Sequence, residues 1–368
     1  MIDNTKISSA EILLYCMDFS ENLSFFTKDI GFKLKLIFPA DSPRCAIISG
    51  YGLTIRLEKS EIDGPLILRL VVDEAASQEY KTLKAPNGSE LHFIQNDLKC
   101  DEKLEMPPLK NKVVVKKLES SSNWINGRAG MQYRDLIPDR LGGRFIASNI
   151  RIKKGGPVPD YVHYHHVRFQ MIYCYKGWVR AVYEDQGEPF VMHAGDCVLQ
   201  PPHIRHQVLE CSDNFEVIEV GCPAEHKTLV DHHMELPTSK VRPDRDFNGQ
   251  KFVLHKKKEA QDSLSVREDG FKTRDTSISN ATNGEASVLA LTPSESLGNQ
   301  AMSHDAEFLF LFVLWGKVTI EIDEQVIELD EGGSFSIPAN KPFRWQHTSK
   351  DLELLEVALP AEYSRKLL

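Results

Sequence analysis

Apolar and polar positions recur with two different periods along this chain, and the change of period divides it. Residues 8 to about 97 use both. Glu11–Tyr15 (EILLY) is a short apolar run that reads as a strand. After it, ENLSFFTKDIGF sets Leu23, Phe26 and Ile30 on one helical face, with Ser20 as the expected N-cap and Gly31 as the expected C′ residue. Runs at 32–38, 45–49, 53–58 and 65–72 then read as strands between Pro, Gly and Asp turns, and APNGSELHFIQ (85–95) as a turn leading into a last strand. The predicted order is β-α-β-β-β followed by further strands, a small α+β domain over 1–98. Residues 99–128, charged and rich in Pro and turn formers, read as a linker.

From residue 129 the period is two throughout. Short alternating strands are separated by Gly and Pro turns, without helix-length periodicity. This part is also a repeat. Gly130-Met-Gln-Tyr-Arg-Asp135 matches Gly270-Phe-Lys-Thr-Arg-Asp275 at an offset of 140 residues, and EVIEVGCPAEH from Glu216 matches ELLEVALPAEY from Glu353 at an offset of 137. The offset shrinks in a hairpin, where EDQGEP (184–189) faces DEQ (323–325). Each copy, 129–236 and 251–368 with a linker at 237–250, is therefore expected to be a closed or sandwich-like β-barrel.

Composition narrows the class. With 41% hydrophobic and 26% charged residues over 368 positions, the chain is globular and not disordered. A formal charge of −9 gives no support for a nucleic-acid or anionic-membrane partner. The N-terminus lacks the basic and apolar regions of a signal peptide, and the longest apolar run, Phe308–Trp315, is far short of the ~20 residues that span a bilayer. Seven cysteines without a CxxC pair read as reduced thiols in a cytoplasmic protein.

Histidine is the uneven residue. Six of 13 (His163, His165, His166, His193, His203 and His206) fall within 44 positions. His163 and His165 are two apart, so on a strand they share a face, whereas His166 points away. They stand in GGPVPDYVHYHHVRFQMIYCYKG, followed by GDCVLQPPHIRHQV with Gly195, Pro201 and His206. Three converging imidazoles make a transition-metal site.

These two runs resemble the paired motifs of the cupin superfamily, G-x5-H-x-H-x3–4-E-x6-G and G-x5-P-x-G-x2-H-x3-N. His163, His165 and His206 fall on the three histidine ligands, and the Gln170 to Gly177 and Gly195 to Pro201 spacings fit. The departures are six residues instead of five between Gly156 and His163, Gln170 for the glutamate ligand, His203 for the motif-two glycine and Glu210 for the final Asn. The resemblance implies two tandem jelly-roll barrels. It also implies a metal held by His163, His165 and His206 with Gln170 beside it, as in Fe(II) cupin dioxygenases. Fe(II) is the favoured ion, with Mn, Ni, Zn or Cu as alternatives, and the partner is a small-molecule substrate. A metal-dependent isomerase or lyase and a non-catalytic metabolite-binding or regulatory cupin are the other readings. His203, Arg205 and Tyr164 are the candidate catalytic residues: His203 as a substrate contact or proton carrier, Arg205, like Arg168, for a substrate carboxylate, and Tyr164, like Tyr161, as a mouth residue, while Cys174 is a barrel-lining packing residue.

Registering the copies on Gly177 and Gly316 aligns His304 with His165 and puts Met302, Leu309 and Phe343 at the other ligand positions, so the second copy is expected to lack a metal. His347 and Glu307 are the only further candidates there. In the first domain, the Asp18…Phe25-Phe26…Ile30-Gly31-Phe32 spacing resembles a vicinal-oxygen-chelate (glyoxalase/bleomycin-resistance) module with an abbreviated second half after Asp73. That resemblance implies metal positions at Glu11 and Glu58, and a structural or dimerising role, with a homodimer as the possible assembly.

Overall fold

The computed structural model describes residues 6–61, 67–79, 82–84, 90–96, 104–119, 124–260, 266–295 and 297–368. The chain divides into two compact units. The first holds residues 1–104 with 161–166 and 226–234, and the second holds 105–160, 167–225 and 235–368.

The first unit runs β1 (Ile7–Cys16), α1 (Phe19–Ser24), β2 (Lys33–Phe38), β3 (Cys45–Gly50), β4 (Leu53–Lys59), β5 (Ile67–Val72), α2 (Glu74–Glu79), β6 (Leu83–Lys84) and β7 (Glu90–Ile94). Its sheet order is β2-β3-β4-β1-β5-β7-β6. β1 lies parallel to β4, β5 lies parallel to β7, and β1 and β5 meet antiparallel. A strand-then-helix element thus occurs twice, and each helix starts at an aspartate. Asp18 Oδ1 accepts the Glu21 amide at 2.9 Å, and Asp73 Oδ1 accepts the Ala76 amide at 2.8 Å. Asp18, not Ser20, is therefore the first cap. α1 is also shorter than the periodicity predicts, giving way to a π turn at Phe25–Asp29. Leu23 and Phe26 pack on the buried Phe19, Phe32 and Leu57, but Ile30 is exposed. Gly31 has the positive φ expected after a helix. The Pro-Asn-Gly turn at 86–88 lies outside the described residues.

Two strands from the repeat region belong to this unit, so the boundary expected at residue 98 and the uninterrupted barrel expected over 129–236 do not hold. Thr228–Val230 pairs antiparallel with β2, and His163–His165 pairs with Thr228–Val230. The cause is an apolar face on β2 and β3. Leu36, Cys45, Ile47 and Leu229 form a buried cluster, with Tyr164 packed against it.

The second unit contains two barrels. In the first, one sheet has the order Val253–His255, Cys197–Leu199, Phe169–Lys176, Phe215–Cys222, Ile146–Ile152, Gln132–Asp135, Ile125–Asn126. Phe190–His193, Trp178–Tyr183, His206–Cys211 and Gly156–Pro157 face it. Cys174, Val198, Val217 and Tyr183 line the interior, and burial pushes the Cys174 thiol up to about 12, which suits packing and not reactivity. The second barrel is built from sheets of six and five strands around Leu309, Leu311, Val313, Phe335 and Trp345. Six cysteines (16, 45, 174, 197, 211 and 222) are buried and form no disulfide among the described residues, and Cys100 lies outside those residues.

The barrels join through the outer faces of two equivalent strands. Phe169, Met171, Tyr173 and Tyr175 share a buried cluster with Phe308, Phe310, Phe312 and Leu314. Phe145 stacks on Phe308 at 4.2 Å. The Phe308–Trp315 run is buried along its length except at Trp315, as expected for a strand covered on both faces. The barrels also exchange strands, which the expected domain limits did not contain. Val114–Lys116, placed in the first linker, pairs with Ser334–Ser336 of the second barrel. Val253–His255, assigned to the second barrel, pairs with Cys197–Leu199 of the first. Each arm covers a sheet edge that would otherwise be open. Asp246–Phe247, in the second linker, forms a hairpin with Gln250–Lys251. Among the described residues, no helix is long and apolar enough to cross a membrane.

Truncating Phe310, which is fully buried between the barrels, removes contacts from both. Phe310→Ala is expected to cost about 3–5 kcal/mol, read as a lower urea midpoint at unchanged metal content.

Candidate metal centre

The alternation of the His163–His165 strand sends both imidazoles to one face and Tyr164 to the other. His206 opens the strand His206–Cys211 after a turn in which His203 takes a left-handed conformation (φ 64°). The three side chains are 1%, 7% and 5% exposed, and their ligand nitrogens all lie within 4.8 Å of one another. Neutral imidazoles tolerate this burial, but three protonated ones would not.

Each ring is oriented by a second contact. The Tyr161 carbonyl, 2.7 Å away, accepts from His163 Nδ1, and the Ile204 carbonyl, 3.0 Å away, accepts from His206 Nδ1. A carbonyl only accepts, so in both rings Nδ1 carries the proton and Nε2 holds the lone pair that a metal would take. His165 Nδ1 is 3.0 Å from Thr228 Oγ1. His206 also stacks on the buried Tyr183 ring at 5.2 Å, and desolvation pushes the Tyr183 phenol far above its usual range.

Gln170 lies on the two-sided strand Phe169–Lys176 and is 1% exposed. Its Nε2 donates to Glu219 Oε1 at 2.6 Å. Because a carboxylate cannot donate, the amide orientation is fixed. Its Oε1 is buried and has no hydrogen-bond partner among the described residues. A buried carbonyl oxygen without a donor is costly unless something electropositive meets it. The three imidazoles are a donor set that fits a divalent cation, and the Gln170 amide oxygen, backed by Glu219, is the kind of group a cation would satisfy.

Two of these residues were not singled out in the sequence. Gln200 is buried, and its amide nitrogen lies 2.8 Å from His206 Nε2, donating to the lone pair that a metal would take. Glu219 holds Gln170. Period-two parity contained the signal for both: Gln200 shares a face with the barrel-lining Val198, and Glu219 with Val217. His226 is a third, its ring edge-on to His165 at 5.2 Å.

Other candidates go elsewhere. Tyr164 packs against Leu36 and Ile47, opposite in direction to the histidines, so strand alternation removes it from the catalytic candidates. Arg168 pairs with Glu285 and, at 3.3 Å, with Glu307, joining the two barrels instead of awaiting a substrate. Glu307 is engaged by Arg144 as well (2.6 Å), and His347 is exposed. His203 and Arg205 are held together, Arg205 Nη1 donating to the His203 carbonyl at 3.3 Å. Tyr161 is half exposed and packs edge-on to His232.

In the second barrel, Met302, Leu309 and Phe343 are part of the apolar interior. His304 is buried beside Phe343 and Tyr363, with Nε2 3.1 Å from the Ile337 carbonyl, and burial lowers its pKa. One imidazole among apolar side chains is a poor donor set for a metal.

The cupin domain family model matches residues 149–220 and again 287–358. The chain carries two cupin domains. Solved structures agree in fold. A deletion mutant of oxalate decarboxylase from Bacillus subtilis is 13% identical with a TM-score of 0.50, covering 73% of this chain and 81% of that one. Protein Ylba from E. coli is 12% identical with a TM-score of 0.50, covering 70% of this chain and 94% of that one. No curated protein matches the sequence. At these identities the likeness is one of architecture, and the chemistry of each cupin domain has to be argued from its own side chains.

His206→Ala is expected to abolish stoichiometric binding of Co(II) or Ni(II). Glu219→Ala, which releases the Gln170 amide, is expected to weaken binding about 10–100-fold at unchanged stoichiometry, measured by competition with a chromogenic chelator.

Proposed function

We propose that the first cupin domain is a mononuclear metal-dependent enzyme acting on a small organic substrate, with Fe(II)-type oxygenation as the reaction. The observation that carries this reading is the convergence of three buried imidazoles, and the buried, unpartnered carbonyl oxygen of Gln170 supports it. A divalent transition metal bound there would supply Lewis acidity and, as Fe(II), one-electron chemistry with O₂.

The chain's own residues would position and insulate. The Tyr161 and Ile204 carbonyls and the Thr228 hydroxyl fix the imidazole rings. Glu219 turns the Gln170 amide so that oxygen, not NH₂, is presented. Tyr183, Phe190 and Phe252 form an aromatic wall next to His206 that limits water. His203 and Arg205, linked on the turn before His206, are the residues proposed to meet the polar end of the substrate. Buried reduced thiols fit a cytoplasmic setting.

The first unit is read as a vicinal-oxygen-chelate-type domain with a structural or dimerising role. The ion pair of Glu11 with Arg69 at 2.6 Å and that of Glu58 with Arg56 at 2.5 Å support this, since both carboxylates are already neutralised.

Freshly purified protein is expected to carry about one metal per chain, and His206→Ala none. The iron-loaded protein is expected to consume O₂ with a member of a panel of phenols, diketones and hydroxy acids. Turnover under strict anoxia with Zn or Ni would instead make the reaction an isomerisation or elimination, and a tightly held but unconverted ligand would make the domain a binding module.

A further inference from the structure

The repeat supplies an internal control at a second place, the junction of the two barrels within the second unit. Arg134 and Arg274 are equivalent, each being the arginine of the Gly-x-x-x-Arg-Asp element. Each reaches the opposite barrel in the same way, Arg134 Nη2 donating to the Gly332 carbonyl at 2.9 Å and Arg274 Nη1 to the Gly195 carbonyl at 3.3 Å. Beyond that the two differ.

Arg274 is satisfied. It donates to His255 Nε2 (3.0 Å), the Tyr173 hydroxyl (3.3 Å) and Glu353 Oε1 (3.0 Å). Strand register identifies what stands at those positions around Arg134. His255 lies opposite Cys197, and its counterpart opposite Ser334 is Lys116, a cation that accepts nothing. Tyr173 corresponds to Phe312, which has no hydroxyl. Glu353 corresponds to Glu216, whose Oε2 accepts from Asn149 instead, at 3.1 Å. Besides Gly332, the hydrogen-bond partner of Arg134 among the described residues is Asn149 Oδ1, at 3.2 Å, and its guanidinium lies 5.9 Å from the centre of the Trp124 ring.

Arg134 is 2% exposed, and its Nε and Nη1 have no hydrogen-bond partner among the described residues. It lies at the wall of a half-open cavity of about 530 Å³. Arg151 lies over Trp124 at 3.7 Å, and both line the same cavity. Lys176 also lines it but is paired with Glu331 at 2.8 Å. The acidic side chains on the lining are Glu119 and Glu216, equal in number to Arg134 and Arg151, the two cations left once Lys176 is paired with Glu331. Burial draws the Arg134 pKa down, Glu216 opposes this, and Arg151 adds repulsion. A buried guanidinium with no carboxylate of its own beside a second cation is what a carboxylate ligand relieves.

We propose that this cavity binds a small organic carboxylate, which supplies to Arg134 and Arg151 the acceptors that Tyr173, His255 and Glu353 supply to Arg274. The volume admits a metabolite-sized anion, and the site joins elements of both barrels, so its occupant would strengthen their union. It is separate from the histidine cluster and does not depend on a metal.

The test is a titration of the full chain with succinate at constant ionic strength, followed by tryptophan fluorescence, in the His206→Ala background so that a bound metal cannot take the carboxylate. A saturable change is expected that NaCl does not reproduce, that Trp124→Phe removes, and that needs at least about 10-fold more succinate in Arg151→Gln. Arg134→Met should abolish it. Should that variant fail to fold, the half-buried Arg151 decides the matter. A response identical to that of NaCl, or one unchanged by Arg151→Gln, would overturn the proposal.

Discussion

The strand Phe169–Lys176 is packed on both faces, and a slip of one residue would exchange them. Its odd positions, Phe169, Met171, Tyr173 and Tyr175, form half of the joint between the barrels. Its even positions, Ile172 and Cys174, line the first barrel, and Gln170 shares their face of the strand. Register with Phe215–Cys222 does the rest. Gln170 lies opposite Gly221, where a Cβ would come within 3.1 Å of the Phe169 carbonyl oxygen, and Ile172 lies opposite Glu219. Glu219 is thus the diagonal neighbour of Gln170 on one face, which is the geometry their hydrogen bond needs. The joint between the domains and the polar part of the candidate centre are therefore fixed by a single choice of register.

The twin strand Phe308–Trp315 keeps the register and changes the side chains. Leu309 replaces Gln170 and Ile337 replaces Gln200, yet the carboxylate remains, because Glu356 stands where Glu219 does. Without an amide to hold, Glu356 is buried against Arg267 (2.7 Å) and Arg365 (2.9 Å), with the Tyr363 hydroxyl at 3.3 Å. Burial alone would raise its pKa, but the two guanidinium groups overcome this and hold it below the ordinary carboxylate range. Arg365 occupies the position equivalent to Thr228, which in the first domain contacts His165. The positive charge beside the shared carboxylate is carried by the protein in one domain, and the first has imidazoles able to recruit it.

What was legible in the sequence follows from locality. The clustering of His163, His165 and His206 could be read because strand alternation and the motif turn act over a few residues, and the same parity placed Ile172 and Cys174 inward. Tyr164 shows its limit: parity gave its direction relative to His163 and His165, but only the apolar face of β2 and β3 shows why that direction is buried. The exchanged arms Val114–Lys116 and Val253–His255 could not be read, because their partners lie more than 50 residues away and three-residue strands carry almost no pattern of their own. Asp18 displaced Ser20 as a cap through one hydrogen bond, a choice between two good capping residues that composition does not settle.

Replacing the cupin glutamate ligand by glutamine looks, in the sequence, like the loss of a negative charge from the centre. The structure puts that charge one hydrogen bond further out. The Gln170 carbonyl oxygen is left without a partner because its NH₂ is taken by Glu219, so in the proposed centre the pair would serve as an extended acidic ligand whose charge is screened by an amide. A cation there would feel an amide dipole at close range and a carboxylate behind it, which favours binding less strongly than a direct carboxylate contact. In the proposed centre the exchange would lower affinity for a cation while leaving more of the cation's charge to act on a substrate, a balance that suits a catalytic centre better than a structural one.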